Sequence, residues 1–375
     1  MRAALRFTAV GLLFIILRAS VGARVCVRQE LQDIQMLRTS LCKLLNIEAP
    51  VICAPMGPHI TSLELAAEVS NAGGLGIISF GGYPPPQLRQ EIRRLRALTE
   101  KPFGVNLLLQ FPVEEHVNVC VEERVPVISF FWGDPSPYVE RAHAAGLKVI
   151  DQVGSVEAAK RSADVGVDAV IAQGMEAGGH IAGQVSTMAL VPRIVDAVSP
   201  VPVAAAGGIA DARGLVAALA LGAAGVVLGT RFLATPESAA HPVYKQKVLE
   251  ATEEDTVRTT LFGRGWPNAP HRALRTAFVD EWLKDEARGS EERVDEPVIG
   301  ESIFGGQRVP LQRFAGFPPT AEATGDIESM GLLAGQSVGL VTDIKPAAVI
   351  VRELVAGARA IIERRLSKEL LNSGV

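Results

Sequence analysis

Residues 201–230 read VPVAAAGGIADARGLVAALALGAAGVVLGT. Val201–Ala206 and Gly225–Gly229 are short runs in which almost every residue is apolar, and a helical stretch separates them. A strand without polar alternation is buried on both faces, which is the habit of a parallel sheet covered by helices. Both runs lead into glycine turns, in Ala206-Gly207-Gly208-Ile209 and in Leu228-Gly229-Thr230-Arg231.

The same unit recurs upstream. Val51–Met56, Leu75–Phe80, Phe103–Leu109, Val125–Phe131, Lys148–Val153 and Ala169–Gln173 are further strand candidates, each followed by a helical pattern. In Ser62–Asn71 the apolar Leu65, Ala66 and Val69 fall at helical spacing, ahead of a Gly-Gly stop. In Gln87–Thr99 a stripe of Leu88, Ile92, Leu95 and Leu98 leaves Arg89, Arg93, Arg94 and Arg96 to a solvated outer face. Eight such units predict an α/β fold, a (β/α)₈ TIM barrel with a C-terminal helical and irregular extension. A doubly wound open sheet is the alternative. It expects a Gly-rich fingerprint in the first strand-helix turn, where this chain has Ala54-Pro55-Met56-Gly57-Pro58-His59. The expected organisation is an N-terminal extension over 1–35, a barrel over 36–251 and an extension over 252–375 that packs on the barrel. Within that extension, residues 284–327 read as irregular polar connection. Residues 346–371 read as a helix with Val349, Ile350, Leu354, Ala358, Ile361, Ile362 and Leu366 on one face.

Composition excludes several classes. Of 375 residues 48% are hydrophobic and the net charge is -4, so neither a disordered chain nor a basic nucleic-acid footprint is expected. Cys26, Cys42, Cys53 and Cys120 are too sparse for a disulfide scaffold and show no metal-ligand spacing. The N-terminus has three readings. Arg2 and Arg6 before the apolar run Phe7–Leu17, with Val21-Gly22-Ala23 as a cleavage site, resemble a secretory signal. A translation start at Met36 is the second and a native arm the third. A cytoplasmic protein without a membrane span is the expectation.

The chemistry is expected at the C-terminal ends of the strands, where barrels carry their sites. The turns at Gly207-Gly208 and Gly229-Thr230 can bring backbone close to a phosphate, with the Thr230 hydroxyl as a further donor. The long loop after the sixth strand, Gln173-Gly174-Met175-Glu176-Ala177-Gly178-Gly179-His180, offers Gln173 as donor and acceptor for a heteroaromatic ring. It also holds His180 over the barrel mouth as a base near neutral pH. His59, His116, His143, His241 and His271 take the ordinary structural or exposed reading. Asn106, disfavoured inside a strand, needs a partner or a ligand for its amide. A phosphate cup beside ring-facing amides suggests FMN, although a sugar phosphate fits the cup as well.

These motifs together resemble the nitronate monooxygenases. The resemblance is carried by Ala54-Pro55-Met56, Gly104-Val105-Asn106, Gln173 with Glu176–His180, Ala205–Ile209 and Leu228-Gly229-Thr230. It runs from about Met36 to Asp280 and returns at Gly335–Gly339. It implies an FMN barrel that oxidises alkyl nitronates with O₂ to a carbonyl compound and nitrite. Asn106, Gln173 and Gly178 would then contact the isoalloxazine. Gly208 and Val227, Leu228, Gly229 and Thr230 would hold the phosphate side, and His180 would be the base. Met56, Gly179 and Gly207 complete the expected cofactor contacts, and no metal is expected. Two stretches depart from the family pattern. Leu333-Ala334-Gly335-Gln336 lacks an aromatic before the Ala-Gly-Gln, and residues 263–271 differ from the usual Gly-Arg-rich run. The same features also resemble NAD(P)H-linked FMN reductases, namely enoyl-acyl carrier protein reductases and NADH:quinone reductases. A non-catalytic binder of a phosphorylated ligand is the third possibility. The expected partners are a small-molecule substrate and O₂.

Overall fold

The computed structural model describes residues 37–79, 84–291, 293–304 and 307–369. The signal-like segment and the Met36 start lie outside these residues. Eight parallel strands close into a barrel: β1 (Val51–Cys53), β2 (Leu75–Ser79), β3 (Phe103–Leu108), β4 (Val127–Phe131), β5 (Lys148–Val153), β6 (Ala169–Gln173), β8 (Val203–Ala206) and β9 (Gly225–Leu228). Closure is made by β9 on β1, with Val226 beside Val51. The expected (β/α)₈ TIM barrel is the fold observed.

Side chains alternate as a two-residue period requires. Ile52, Ile77, Val127, Ile150, Ile171 and Val227 point into the barrel, while Cys53, Ile78, Val105, Ile128, Val170 and Leu228 face the helices. Helix α1 (Ser40–Leu45) stoppers the N-terminal end by burying Leu41, Cys42 and Leu45 against the inner cluster. Each leucine so buried contributes roughly 2 kcal/mol. Gly225 is glycine because a Cβ there would lie 2.6 Å from Leu41 Cδ2.

Helices α2 (Leu63–Asn71), α3 (Pro85–Leu98), α4 (Glu114–Glu122), α5 (Ser136–Ala144), α6 (Val156–Asp164), α7 (Thr187–Val198) and α8 (Ala212–Ala220) follow the first seven barrel strands. The arginines of α3 are a paired outer face: Arg89 and Arg93 both reach the Glu123 carboxylate after α4, at 2.9 and 2.8 Å. After β9 there is only a single turn, α9 (Thr230–Leu233), followed by α10 (Pro242–Glu250). The eighth position of the helix ring is filled by α12 (Ala347–Ala360), which packs between α8 and α2. A barrel drawn to end at 251 is therefore one helix short. On α12 the buried face is Ala347, Ile350, Val351, Leu354, Val355 and Ala358, whereas Ile362 and Leu366 are exposed. Ile361 still packs against the core, so the expected stripe fails only at Ile362 and Leu366.

The excursion between α10 and α12 folds over the barrel mouth. Strands β10 (Thr256–Thr259) and β11 (His271–Leu274) form a small antiparallel sheet with β7 (Gly179–His180) from the loop after β6. Helix α11 (Ala277–Trp282) follows. The stretch 284–327, expected to be irregular, contains a hairpin of β12 (Val298–Phe304) on β13 (Gln307–Gln312), with β14 (Thr324–Gly325) on its other side. Val298 is exposed and Ser302 is buried, so no apolar alternation marks it. Buried Leu311, Ile327, Met330 and Leu332 join Tyr244 and Val248 of α10 in one cluster.

Candidate functional site

The C-terminal ends of the barrel strands and the excursion enclose a cavity of about 730 Å³. Met56, Asn106, Gln173, Gly178, Gly179, His180, Gly207, Gly208, Val227, Gly229 and Thr230 all line it. Leu228 does not. Its side chain is fully buried towards the helix layer, and its carbonyl accepts the Ala54 N–H at 2.9 Å. Strand alternation is the reason: with Val227 facing in, Leu228 must face out.

The loop after β6 is held at both ends. Gln173 Nε2 donates to the His180 carbonyl at 3.0 Å. The Glu176 carboxylate accepts the Thr187 backbone N–H at 2.9 and 3.0 Å and the Thr187 hydroxyl at 3.0 Å, capping α7 where Ser186 makes no side-chain cap. An acid there also complements the helix N-terminus. The segment around Gly335 crosses this loop so closely that a Cβ on Gly178 would lie 2.5 Å from Gly335 N, and one on Gly335 2.7 Å from the Glu176 carbonyl. Gly335 N–H donates to Thr230 Oγ1 at 3.0 Å, which leaves the Thr230 hydroxyl proton available to a ligand. Asn106 resolves its buried amide by donating from Nδ2 to the Ser129 carbonyl of the neighbouring strand, at 3.2 Å.

His180 stands on β7, directly opposite His271 of β11. Its ring stacks on Trp266, with centroids 4.1 Å apart and planes inclined by 22°. Trp132 meets it edge-on at 6.1 Å and His271 at 5.4 Å. Nε2 of His180 is buried with no hydrogen-bond partner. Burial, with a smaller repulsion from His271, pushes its pKa down to about 3, so the imidazole is neutral. His271 is structural: Nδ1 bonds the Ala269 carbonyl at 3.0 Å and Nε2 accepts the Phe262 N–H at 3.2 Å. Burial holds it near 4.

Sequence reasoning placed no site residue beyond Thr230. The structure adds Arg264, Trp266, Phe317, Leu333 and Ser337 from the excursion, and Phe111 from the loop after β3. A tryptophan in the otherwise small and polar run 263–271 was the available signal. Cys53 and Cys120 do not line the cavity, and burial pushes their thiols up to about 12. Among the described residues no group of His, Cys, Asp or Glu could hold a metal. Nor is any helix among them long and apolar enough to cross a membrane.

The donor set fits a phosphorylated ring cofactor on structural grounds. Gln173 Oε1 is a buried acceptor with no protein partner, in want of a ligand N–H. At the other side Gly207 and Gly208 take φ of +107° and +72°, a turn of consecutive positive-φ glycines against the cavity. Such a turn lets backbone approach an anion.

The nitronate monooxygenase family profile matches residues 38–115 and 110–357. A probable nitronate monooxygenase of Staphylococcus aureus is 32% identical over 87% of this chain and 99% of its own. A hydroxy-methyl-oxo-octahydroindene-carboxyl-CoA dehydrogenase of Mycobacterium tuberculosis is 40% identical over 65% of this chain and 68% of its own. Among solved structures, FabK from Thermotoga maritima superposes with a TM-score of 0.73 at 39% identity, covering 88% of this chain and 98% of that one. A nitroalkane oxidase from Streptomyces ansochromogenes gives 0.68 at 27% identity, covering 86% and 99%. The chain belongs to the nitronate monooxygenase family and is an oxidoreductase of that flavin-dependent superfamily.

Proposed function

We propose that this protein binds FMN and oxidises alkyl nitronates with O₂ to a carbonyl compound and nitrite, taking neutral nitroalkanes as well through His180. The observation that carries the reading is a neutral, half-buried imidazole whose buried Nε2 has no partner among the described residues, inside a cavity that also presents an unpartnered glutamine acceptor. FMN would supply a two-electron acceptor that also reacts with O₂. Gln173 and Asn106 would hold its ring, and Gly207, Gly208, Gly229 and Thr230 its phosphate. Family and neighbours support the class of chemistry.

His180 has the form a base needs. It is unprotonated at neutral pH, and Nε2 is the acceptor site. Burial makes an isolated imidazolium costly. Transfer of an α-proton from a neutral nitroalkane creates the nitronate anion beside the new cation, so the pair is neutral overall and each charge stabilises the other. Low water content strengthens that attraction. A preformed nitronate asks nothing of this base.

The test follows from that difference. His180→Asn should depress turnover of neutral nitroalkanes by roughly 10²–10⁴-fold, the usual span for loss of a general base. Oxidation of preformed nitronate should fall far less, with flavin content unchanged. Equal losses for both forms would remove the base role. A second reading is an NAD(P)H-linked flavin reductase, favoured by the relative named as a CoA-thioester dehydrogenase at 40% identity. Prompt anaerobic bleaching of the flavin by NADH would select it.

A further inference from the structure

Among the described residues His180 has no carboxylate to aim it. Histidine bases are commonly oriented by an acidic side chain bonded to the second ring nitrogen. Among the described residues no carboxylate hydrogen-bonds this ring. His271, the residue opposite, gives both nitrogens to backbone groups and has none to spare. What lies against the imidazole is the Trp266 indole, face to face at 4.1 Å. That indole is in turn wedged by Trp132 at 5.0 Å and by Phe111 at 5.5 Å, both edge-on.

The wedge is built at a cost. Trp132 sits at φ +66°, a left-handed backbone that a bulky side chain rarely takes. Such a residue is strained and persists only where its surroundings fix it. Gly265, at φ +88° with open space around its Cβ position, turns the chain so that Trp266 faces inward. A strained tryptophan supporting a second, turned-in tryptophan is more than loop filling.

We propose that Trp266 is the positioning residue of this site: its indole face sets the plane of the His180 ring and screens it from water, in the place a carboxylate commonly takes. The inference rests on the reading of His180 as base. In the proton transfer the substrate C–H bond breaks, the N–H bond forms at Nε2, and the electron pair stays on the nitro group as nitronate. The imidazolium so formed lies on an aromatic face whose quadrupole attracts a cation. Among the described residues the charged groups around it include Arg272, next to His271 on β11 and paired across from Gly179. His271 faces it from β11, with Arg258 and Glu286 beyond. Arg264 comes from the Trp266 segment, and His116 lies on the cavity wall.

The experiment uses the flavin-loaded protein and two variants, Trp266→Ala and Trp266→Phe. One readout is the NMR titration of the His180 ring, assigned by the signal lost in His180→Asn. The other is the ratio of neutral-nitroalkane to nitronate turnover. Trp266→Ala should admit water and raise the His180 titration by about one pH unit or more. It should lower the ratio roughly tenfold to hundredfold, the cost of a misplaced group. Trp266→Phe should restore most of both. An unchanged titration and ratio in Trp266→Ala overturns the proposal. Should that variant not fold, Trp266→Leu against Trp266→Phe decides: a lower ratio with leucine supports it, equal ratios overturn it. If His180→Asn leaves the ratio intact, the base reading falls. The titration alone then judges Trp266, a shift supporting its hold on the ring and no shift overturning it.

Discussion

Gly207 and Gly208 are adjacent, share a positive φ and are glycine for different reasons. A Cβ on Gly207 would lie 3.0 Å from Thr187 Oγ1 and 3.1 Å from both Ala177 N and the Gly174 carbonyl. On Gly208 it would meet only Glu176 Cβ, at 3.7 Å. Protein packing therefore crowds a side chain at 207 on top of the backbone angle, whereas at 208 only the backbone angle and whatever fills the cavity oppose one. Gly208→Val should fold with a loss of about 1–2 kcal/mol from the left-handed backbone and should purify with little flavin, read from its visible absorbance. Gly146→Val is the matched control, since Gly146 has φ +82° and nothing within 4 Å of its Cβ position. It should lose similar stability and keep its flavin. Full flavin in Gly208→Val would place the phosphate elsewhere. These glycines were legible in the sequence because glycine at a strand end has few physical readings. Trp266 and Trp132 were not. An aromatic residue declares a cavity only when the fold joins distant segments, and His271 became His180's neighbour only through strand pairing. Leu228 is the one expected contact that does not line the cavity, because the two-residue period turns its side chain towards the helices.

At the level of elements, the strands were legible because each is apolar on both faces. Even so, one outward position on β5 breaks that rule. Asp151 lies buried between the sheet and α6, where Ser162 Oγ donates to its Oδ2 at 2.5 Å and Oδ1 has no partner. Burial pushes its pKa up to about 7, against the weaker pull of Ser162. The folded-state value exceeds the unfolded one, about 3.9. Its contribution to stability is therefore whole below about pH 4 and is lost as pH rises through 7. Between those values stability falls by up to about 1.4 kcal/mol per pH unit from this residue. Asp151→Asn keeps an acceptor for Ser162 and removes the ionisation. Its melting temperature should match the parent near pH 4 and exceed it at pH 8, by the equivalent of roughly 2–4 kcal/mol. Parallel melting curves across that range would show that Asp151 stays ionised in the fold. The eighth helix was the least legible element. Its apolar stripe was plain, but nothing local says that α12 returns across the whole excursion to close the ring between α8 and α2.

Across the whole molecule, that excursion decides what reaches the site. The barrel supplies the floor, and the cavity mouth is shared between the loops after β2 and β3 and the excursion. Pro84, Pro85, Phe111 and Pro112 come from the former, Phe317 and Pro318 from the latter. Phe111 and Phe317 leave 40% and 44% of their surfaces exposed, a large apolar area for residues beside a cavity. The polar groups assigned to the cofactor lie at the strand ends, so a substrate extending towards the mouth would meet Phe111, Phe317 and the prolines, with His116 and Arg264 also on the wall. Each methylene added to a primary nitronate should then gain about 0.8 kcal/mol, or roughly fourfold in kcat/KM, until the chain clears the rim. The gain should appear in KM with kcat nearly constant, because the tail is bound alike in ground and transition states. Phe111→Ser removes one wall of the rim, and the slope against chain length should flatten while the shortest substrate keeps its kcat. A wild-type series with no dependence on chain length would mean that the rim does not contact substrate. A slope that survives Phe111→Ser unchanged would assign it to the Phe317 side, and Phe317→Ser would then have to abolish it.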